Sequence, residues 1–461
     1  MTTATIAVEQ RRAARHARLR AALPDHLERR TWDAARIRAH QRDRLRALLR
    51  HAKARSPFHA ERLAAVDPAR FELGDLPALP RMTKAEMMAA FDQALTDPRL
   101  SRAVVEQHLA GGASEATELL GEYVVLASGG SSGERGVFVY GAGAIVDYTL
   151  GLTRNGLARL LSLGPPPPGG VPMAMVAAAS PIHATRALCD LFSGDLLAVT
   201  AIPVTLPLPE IVARLNRAQP VLLQGYPSVV SLLAEERAAG RLRIAPVAVT
   251  GSSEQFPADA RARVAAAFGV GVVDQFGSTE GVLGSSAPDQ ETIVLASDLA
   301  IVELVDERNR SVPPGTASAK VLVTNLMNPT QPLIRYELTD RFVQQPDAAE
   351  HGHLRVTVEG RADELLGYGD VVVHPLVLRS VLVDTPEVVE YQVTQTHRGA
   401  HVAVIAPRGV DEPALAARLA AALGGAGVGA AEVTVESVPA IARHPDTGKA
   451  RRFIPQPAAA P

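Results

Sequence analysis

The 461-residue sequence contains little cysteine and little lysine. Its one cysteine, Cys189, excludes a disulfide framework within the chain and a zinc site built from several cysteines. Lysine and arginine together number 47, but only four of these side chains are lysine. The lysines are Lys53, Lys84, Lys320 and Lys449. Chemistry that needs a compact ammonium group on a long stem is therefore confined to four positions.

Long apolar runs and an excess of one charge are also missing. No uninterrupted apolar stretch reaches the roughly 18 residues that a bilayer-spanning helix needs, and the N-terminus lacks the apolar segment of a secretory signal. Hydrophobic residues make up 47%, charged residues 21%, and the net charge is −2. We therefore expect a globular, cytoplasmic protein, monomeric or homodimeric, that binds neither nucleic acid nor membranes.

The pattern of apolar residues divides the chain into regions. Residues 1–115 have helical spacing, and Thr83 with Glu86 predicts a helix start with a capping box. From Tyr123 onward short apolar runs alternate with helical patterns, which predicts an α/β fold with parallel strands. Strand-like runs dominate after about residue 290. We expect an N-terminal domain over 1–359 and a C-terminal domain over 360–461.

A segment rich in glycine and serine follows the apolar strand predicted at Tyr123 to Leu126. It consists of Ser128, Gly129, Gly130, Ser131, Ser132 and Gly133, continued by Glu134, Arg135 and Gly136. Glycines let successive backbone N–H groups form an anion-binding nest, and hydroxyl groups add donors without bulk. The spacing and lysine of a Walker A loop are absent. The segment predicts a polyphosphate site, with a flexible linker as the alternative.

A second polar segment begins at Asp274 and follows another predicted strand. It continues with Gln275, Phe276, Gly277, Ser278, Thr279 and Glu280. The C-terminal ends of strands are where α/β folds bind ligands. An aromatic ring there can pack against adenine, a threonine hydroxyl can bind a phosphate oxygen, and a carboxylate can bind Mg²⁺. An ordinary turn before a helix is the alternative.

Three further segments present charged side chains on turns. In the stretch from Arg335 to Arg341, Asp340 is suited to binding two ribose hydroxyls. The next segment is Gly360-Arg361-Ala362-Asp363-Glu364. The last, His444 to Arg451, is a glycine-containing turn that presents Lys449.

In their order and spacing, these five segments resemble the adenylate-forming superfamily of acyl-CoA synthetases, luciferases and peptide-synthetase adenylation domains. The phenylacetate–CoA ligase-like branch is the most similar part of it. The stretch from His51 to Phe58 and the one from Leu76 to Lys84 also fit that branch. The resemblance implies a large N-terminal domain of layered α/β subdomains and a small, mobile α+β C-terminal domain.

The resemblance also implies roles for individual residues, with ATP and Mg²⁺ as cofactors. Catalytic roles fall on Lys449, Thr279, Glu280 and Arg361, with Glu280 as the Mg²⁺ ligand and Asp363 as the hinge. Nucleotide binding falls on Ser128 to Gly133, Ser253, Glu254, Gln275, Phe276, Gly277, Ser278, Thr279, Asp340 and Arg361. The acid pocket falls on His183, Tyr226, Ser252, Gly277 and Gly281.

The sequence departs from the family in its phosphate loop. That loop usually ends in proline and lysine, but here it ends in Arg135-Gly136. Whether Arg135 supplies the missing charge is left open by the sequence. Some relatives carry a zinc site of cysteine and histidine, which a chain with only Cys189 cannot build in cysteine-rich form.

The expected function is ATP-dependent activation of a carboxylic acid, with an aryl acid as the favoured class, to an acyl adenylate. The acyl group would then pass to CoA, a carrier protein or an amine. One alternative is ATP-dependent activation of nitrite for N–N bond formation on an aromatic amine. Another is a non-catalytic adenylate-binding protein.

Overall fold

The computed structural model describes residues 3–110, 118–127, 136–178, 184–194, 196–348, 351–361, 365–369, 371–373, 375–385, 387–443 and 450–456. The N-terminal helices are α1 (Thr3–Arg29), α2 (Ala34–Arg55), α3 (Pro57–Arg62), a 3-10 turn (Leu73–Ala78), α4 (Lys84–Ala89), α5 (Phe91–Ala94) and α6 (Arg102–Ala110). The next elements are β1 (Tyr123–Ala127), β2 (Val137–Gly141), α7 (Ala142–Ser162), β3 (Val171–Ala177), α8 (Ala184–Phe192), β4 (Leu197–Pro203), α9 (Leu208–Ala218), β5 (Leu222–Gly225), α10 (Pro227–Ala238), β6 (Ala248–Ser252), α11 (Ala258–Phe268) and β7 (Val272–Gly277).

Strands dominate the following stretch. They are β8 (Leu283–Ser286), β9 (Ile293–Leu295), β10 (Ala300–Val305), β11 (Lys320–Asn325), β12 (Tyr336–Leu338), β13 (Asp340–Gln344) and β14 (Arg355–Arg361). The C-terminal elements are β15 (Leu366–Tyr368), β16 (Val371–Val373), α12 (Leu376–Val383), β17 (Glu390–Thr396), β18 (Gly399–Ile405), α13 (Glu412–Gly425), β19 (Glu432–Ser437) and β20 (Phe453–Ile454).

A nine-stranded sheet, in the order β13-β14-β9-β8-β7-β6-β5-β3-β4, lies at the centre of the chain. Strands β3 to β7 are parallel, and α9, α10 and α11 connect successive members of this group. This confirms the α/β fold. Strands β8, β9, β13 and β14 pair antiparallel. The five-residue connection from β7 to β8 is too short for the helical crossover that parallel pairing requires.

The sheet curves strongly between β7 and β13. Phe276 on β7 and Phe342 on β13 meet edge to face, with ring centroids 5.2 Å apart. Three strands separate them in the sheet order, so in a flat sheet their backbones would lie about 19 Å apart. The curvature therefore brings the second and third polar segments together.

Helix α1 packs on α7 through the apolar face that its spacing predicts. Leu19 and Leu23 of α1 are buried against Val146 and Leu150 of α7. The predicted capping box of α4 is present, with reciprocal hydrogen bonds between Thr83 and the third helical residue. None of the helices in the described ranges combines the length and apolarity that crossing a membrane requires.

The C-terminal residues form a separate core. Leu366 and Val373 of the β15–β16 pair are buried with Val393 of β17, Leu378 of α12 and Leu419 of α13. The four-stranded sheet has the order β19-β18-β17-β20. The division of the chain at residue 360 stays a prediction, which this separate core supports.

A buried ion-pair cluster joins α7 and α1 to the segment after β9. The guanidinium of Arg154 donates two hydrogen bonds to the carboxylate of Asp298, at 2.8 and 2.7 Å. Arg29 lies 3.8 Å from the same carboxylate. Nδ1 of His353 accepts the backbone N–H of Ser297 at 3.2 Å, and its Nε2 donates to the backbone oxygen of Arg29 at 2.8 Å. The Asp298 side chain has no exposed surface, so its charge depends on these partners.

Two buried histidines make stability sensitive to acid. Burial, followed by the charge of Arg154, lowers the pKa of His353 from its ordinary value of 6.5 to about 4. Burial also lowers the pKa of His59 to about 4, although its Nε2 lies 2.9 Å from the carbonyl oxygen of Pro332. In both cases folding favours the neutral imidazole.

We therefore expect the free energy of unfolding to fall as the pH drops from about 6.5 to about 4. The unfolded chain binds these protons first, so the contribution is complete above pH 6.5 and is lost as the pH falls through 4. Each histidine contributes at most about 3 kcal/mol. Urea unfolding at several pH values measures this. His353→Gln should flatten the dependence, whereas His397→Gln, at an exposed position, should preserve it. A flat wild-type profile would contradict the assignment.

Candidate active site

Three parallel strands, β5, β6 and β7, end side by side in a connected set of polar side chains. Nε2 of Gln224 donates to Oε1 of Gln275 at 2.7 Å and to Oγ of Ser252 at 3.3 Å. Nε2 of Gln275 in turn donates to the backbone oxygen of Leu152 in α7, at 2.8 Å. Gln224 and Ser252 are buried. The ends of β5, β6 and β7 thus form a polar surface, and hydrogen bonds set the orientations of the Gln224 and Gln275 side-chain amides.

The turn after β7 is held from behind by two buried tyrosines. The hydroxyl of Tyr140 donates to the backbone oxygen of Thr279 at 2.6 Å, and that of Tyr148 donates to the backbone oxygen of Ser278 at 3.0 Å. Burial raises the pKa of both phenols, and for Tyr148 the charge of Glu280 is the second cause. Both hydroxyls therefore remain protonated and keep donating to the turn.

Glu280 lies at the end of this turn with 7% of its surface exposed. Oγ1 of Thr279 lies 3.2 Å from Oε2 of Glu280 and donates to it. The amide of Asn325 on β11 donates to the backbone oxygen of Glu280 at 2.8 Å. The carboxylate is therefore fixed at the C-terminal edge of β7. A turn is present, as the alternative interpretation held, but a strand rather than a helix follows it.

Gly281 makes the close approach of Asn325 possible. Its φ is +100°, and a Cβ atom there would lie 2.3 Å from Nδ2 of Asn325. Any larger residue would therefore meet both backbone strain and a clash with the amide that holds Glu280.

Gly281→Ala is expected to lower the free energy of unfolding by about 3 kcal/mol, from left-handed strain plus the clash. Gly315→Ala is the matched control, because Gly315 also has a positive φ but nothing lies within 4 Å of its added Cβ. It should lose about 1 kcal/mol, from strain alone. Equal losses in urea unfolding would show that the contact with Asn325 is unimportant.

The third and fourth polar segments face each other across a strand pair. Asp340 begins β13 and is paired in register with Arg361, the last residue of β14. Phe342, two residues beyond Asp340, contacts the ring of Phe276. The curved sheet thus places Asp340 near the aromatic residue that precedes Thr279 and Glu280.

Ala450, near the end of the fifth segment, and Arg443, just before that segment, lie close to the end of β6. The backbone N–H of Ala450 donates to Oε1 of Glu254 at 2.7 Å. Arg443, which pairs with Ala450 in a β-bridge, donates to Oγ of Ser228 at 3.1 Å. The C-terminal chain therefore returns to the polar edge formed by β5, β6 and β7.

Solved structures with a similar fold include a 2-hydroxyisobutyryl-CoA ligase. In its postadenylation state, bound to R3-HIB-AMP, it aligns with a TM-score of 0.67 at 20% identity, covering 92% of this chain and 91% of that one. The chain has the fold of the adenylate-forming ligases. An amide bond synthetase from Marinactinospora thermotolerans aligns at 0.50 and 18% identity, over 74% and 70% of the two chains. No protein-family model matches the chain, and no curated protein does.

The adenylate-forming fold accounts for the meeting of the polar segments, but several predicted site residues lie outside the described ranges. They are Ser128, Gly129, Gly130, Ser131, Ser132, Gly133, Arg135, His183, Asp363 and Lys449. Their predicted roles stay predictions. The described residues next to the glycine-rich segment are Ala127 and Val137, which pair across β1 and β2. Strand β2 is in turn held by Gln331, whose side chain accepts from Val139 at 2.8 Å.

Tyr226, predicted for the acid pocket, and Ser253, predicted for nucleotide binding, occupy constrained positions. Tyr226 is 1% exposed, and its hydroxyl accepts the backbone N–H of Ala178 at 3.1 Å. Ser253 has a φ of +69°, which turns the chain sharply after β6. Tyr226 is therefore held in the core by its hydrogen bond to Ala178, the last described residue before His183.

Sequence reasoning missed the residues that hold the site from behind. Tyr140, Tyr148 and Asn325 bind only backbone atoms of the Ser278–Glu280 turn, and such long-range contacts leave no local signal. Gln224 was detectable in principle, because it ends the apolar run Val221 to Leu223 with a polar side chain. A buried polar residue at a strand end indicates a partner or a ligand.

The residues present fit the Mg²⁺ that the sequence resemblance implies. Mg²⁺ commonly takes one or two carboxylates together with substrate phosphates and water, and Glu280 offers one fixed carboxylate at the strand edge. Among the described residues no three potential ligands lie close enough to form an all-protein metal site. Glu280 is thus suited to a metal that arrives with a phosphate.

Proposed function

We propose that this protein is an ATP-dependent ligase that activates a carboxylic acid as an acyl adenylate. The acid's carboxylate would attack the α-phosphorus of ATP, forming a P–O bond while the bond to pyrophosphate breaks. The observation that carries the proposal is that the Thr279–Glu280 turn and the chain on either side of Lys449 lie at the C-terminal ends of β5 to β7, while Phe342, on the strand that begins at Asp340, contacts Phe276.

The roles follow from the chemistry of each side chain. We assign Phe276 to the adenine, Asp340 to the ribose hydroxyls, and Thr279 to a phosphate oxygen. Glu280 would hold Mg²⁺, which would neutralise phosphate charge as pyrophosphate leaves. The ammonium of Lys449 would lie between two anions, the acid and the α-phosphate, and reduce their repulsion.

The arrangement of the C-terminal residues supports the first half-reaction in particular. The alignment with the 2-hydroxyisobutyryl-CoA ligase has a TM-score of 0.67 for its postadenylation state and 0.52 for its thioesterification state, at the same coverage. The chain is therefore more similar to the state named after adenylation. A rotation about Asp363 would then allow a second nucleophile to displace AMP.

The second substrate is proposed to be CoA, a carrier protein or an amine. An anthranilate CoA ligase bound to anthranoyl-AMP aligns with a TM-score of 0.50 at 17% identity, and the amide bond synthetase supports an amine acceptor equally well. An aryl acid remains our favoured class. None of the neighbours named here is described as activating nitrite, so that alternative rests on the sequence alone.

A panel of aryl and short-chain acids, assayed for AMP release with ATP and Mg²⁺, tests the proposal. Each acid is assayed alone, with CoA and with an aromatic amine, and a separate arm contains nitrite plus an aminoaryl acid. Acid-dependent AMP release supports the ligase. Release only with nitrite would replace it with the nitrite-activating alternative, and no release in any arm would favour a non-catalytic binding protein.

A further inference from the structure

Two consecutive residues after β6, Glu254 and Gln255, receive hydrogen bonds from the C-terminal core. Ala450 donates to the Glu254 carboxylate at 2.7 Å. Arg379 donates to the side chain of Gln255 at 3.1 Å, and Arg452 donates to its backbone oxygen at 2.8 Å. This short segment is therefore one place where the C-terminal core contacts the N-terminal part of the chain.

The Glu254 carboxylate contacts both the N-terminal and the C-terminal part of the chain, with a different oxygen for each. Oε2 accepts the backbone N–H of Ser228, in the first turn of α10, at 3.1 Å. Oε1 accepts the N–H of Ala450 and lies 3.8 Å from the guanidinium of Arg443. The side chain is 7% exposed. Hydrogen bonds to a buried, ionised carboxylate are stronger than neutral ones, and a helix N-terminus favours the negative charge.

The Ala450 N–H that Glu254 accepts belongs to the peptide bond directly after Lys449. Arg443 and Ala450, which bracket residues 444–449, pair in a β-bridge. Both therefore meet at the same carboxylate. Glu254 fixes the chain on either side of the segment that carries the proposed catalytic lysine.

We propose that Glu254 is a positioning residue for the adenylation step, and this rests on the proposed function. It would dock the C-terminal chain so that Lys449 reaches the acid and the α-phosphate. The sequence placed Glu254 among the nucleotide-binding residues. Each of its oxygens also accepts a protein N–H, so we add a docking role to that prediction. The second half-reaction needs a different arrangement and should not depend on this contact.

The docking contact can be measured without knowing the acid. Cys189 is buried, so spin labels can be placed on Val247→Cys and Ala421→Cys, two exposed positions in the two parts of the chain. With ATP and Mg²⁺ as probes, the wild-type background should show one dominant distance. E254A should reduce its population. An unchanged distance distribution in E254A would overturn the proposal.

The half-reactions supply the second readout. With an acid that supports activity, E254A should slow pyrophosphate exchange by about 10- to 100-fold and leave transfer from a supplied acyl adenylate near the wild-type rate. Equal slowing of both would show a contact with substrate or a general structural role, and would overturn the proposal. If no acid supports exchange, the proposed function fails, but the label distances still decide the docking role.

Two further variants separate docking from folding. E210A removes an exposed carboxylate on α9 that pairs only with Arg214 in its own helix and should match wild type in both readouts. If E254A does not fold, R443A/R379A removes two C-terminal donors and leaves the Glu254 cap of α10 intact. This double variant should reduce the population at the dominant label distance and should slow pyrophosphate exchange, as E254A does. An unchanged population and an unchanged exchange rate would overturn the proposal.

Discussion

Acid-dependent pyrophosphate exchange is expected to fall by about 100- to 1,000-fold when Lys449 is replaced by alanine. Exchange requires charge to build up on the α-phosphate oxygens and on the leaving pyrophosphate. A fixed ammonium lowers the energy of that arrangement more than it lowers the energy of bound ATP. ATP affinity, measured by calorimetry, should therefore change only a few-fold.

One of the other three lysines, Lys84, serves as a matched control. Lys84 begins α4, and Lys84→Ala should leave exchange unchanged. Lys449→Arg keeps the charge but replaces a compact ammonium with a planar guanidinium, and should recover little activity. Wild-type exchange in Lys449→Ala would remove this residue from the mechanism, whereas loss of ATP binding would indicate a nucleotide-binding role.

Local patterns predicted the secondary structure around the site well. Helix α11 occupies Ala258–Phe268 and β11 occupies Lys320–Asn325, as their apolar spacing indicates. Both are bounded by strong local signals, a proline before α11 and a polar asparagine at the end of β11. Where spacing and boundary residues agree, the sequence alone suffices.

Contacts between distant strands were not predictable in the same way. The second polar segment was expected to follow a strand, but β7 continues through Gln275 and Phe276 to Gly277. The cause is β8, whose antiparallel pairing with β7 extends the ladder through these residues. Gln275 was placed after the strand, yet it lies within β7, and its amide is satisfied by Gln224 and by a backbone oxygen of α7. Tertiary partners thus override local preference.

Glu280 and Glu254 show the same difference between local patterns and long-range contacts. The position of Glu280 follows from its place after a strand, so the sequence was enough to single it out. The contact between Glu254 and Ala450 joins residues 196 positions apart in the chain, and no local pattern encodes it. The family resemblance placed Glu254 near the nucleotide, and only the fold shows which protein groups its oxygens bind.

Asp298→Ala is expected to cause the largest loss of stability, about 3–5 kcal/mol. Asp298 and Arg154 are 0% and 3% exposed at their side chains and share two hydrogen bonds. Removing the carboxylate leaves the guanidinium buried without its counter-charge, and Arg29 and His353 lose the same partner. Urea unfolding at pH 7 measures the loss.

The double variant Asp298→Leu/Arg154→Met tests whether the loss comes from the unpaired charge. An apolar pair of similar volume removes both charges together, so it should recover much of the stability that Asp298→Ala loses. Burial opposes ionisation of Asp298, but the charge and hydrogen bonds of Arg154, together with His353 and Arg29, outweigh it and lower the pKa of this carboxyl from 3.8 to about 2. The contribution of Asp298 is therefore complete above pH 3.8 and is lost as the pH falls through about 2. A loss below about 1 kcal/mol in Asp298→Ala would mean that water reaches the cluster and that α7 is anchored elsewhere.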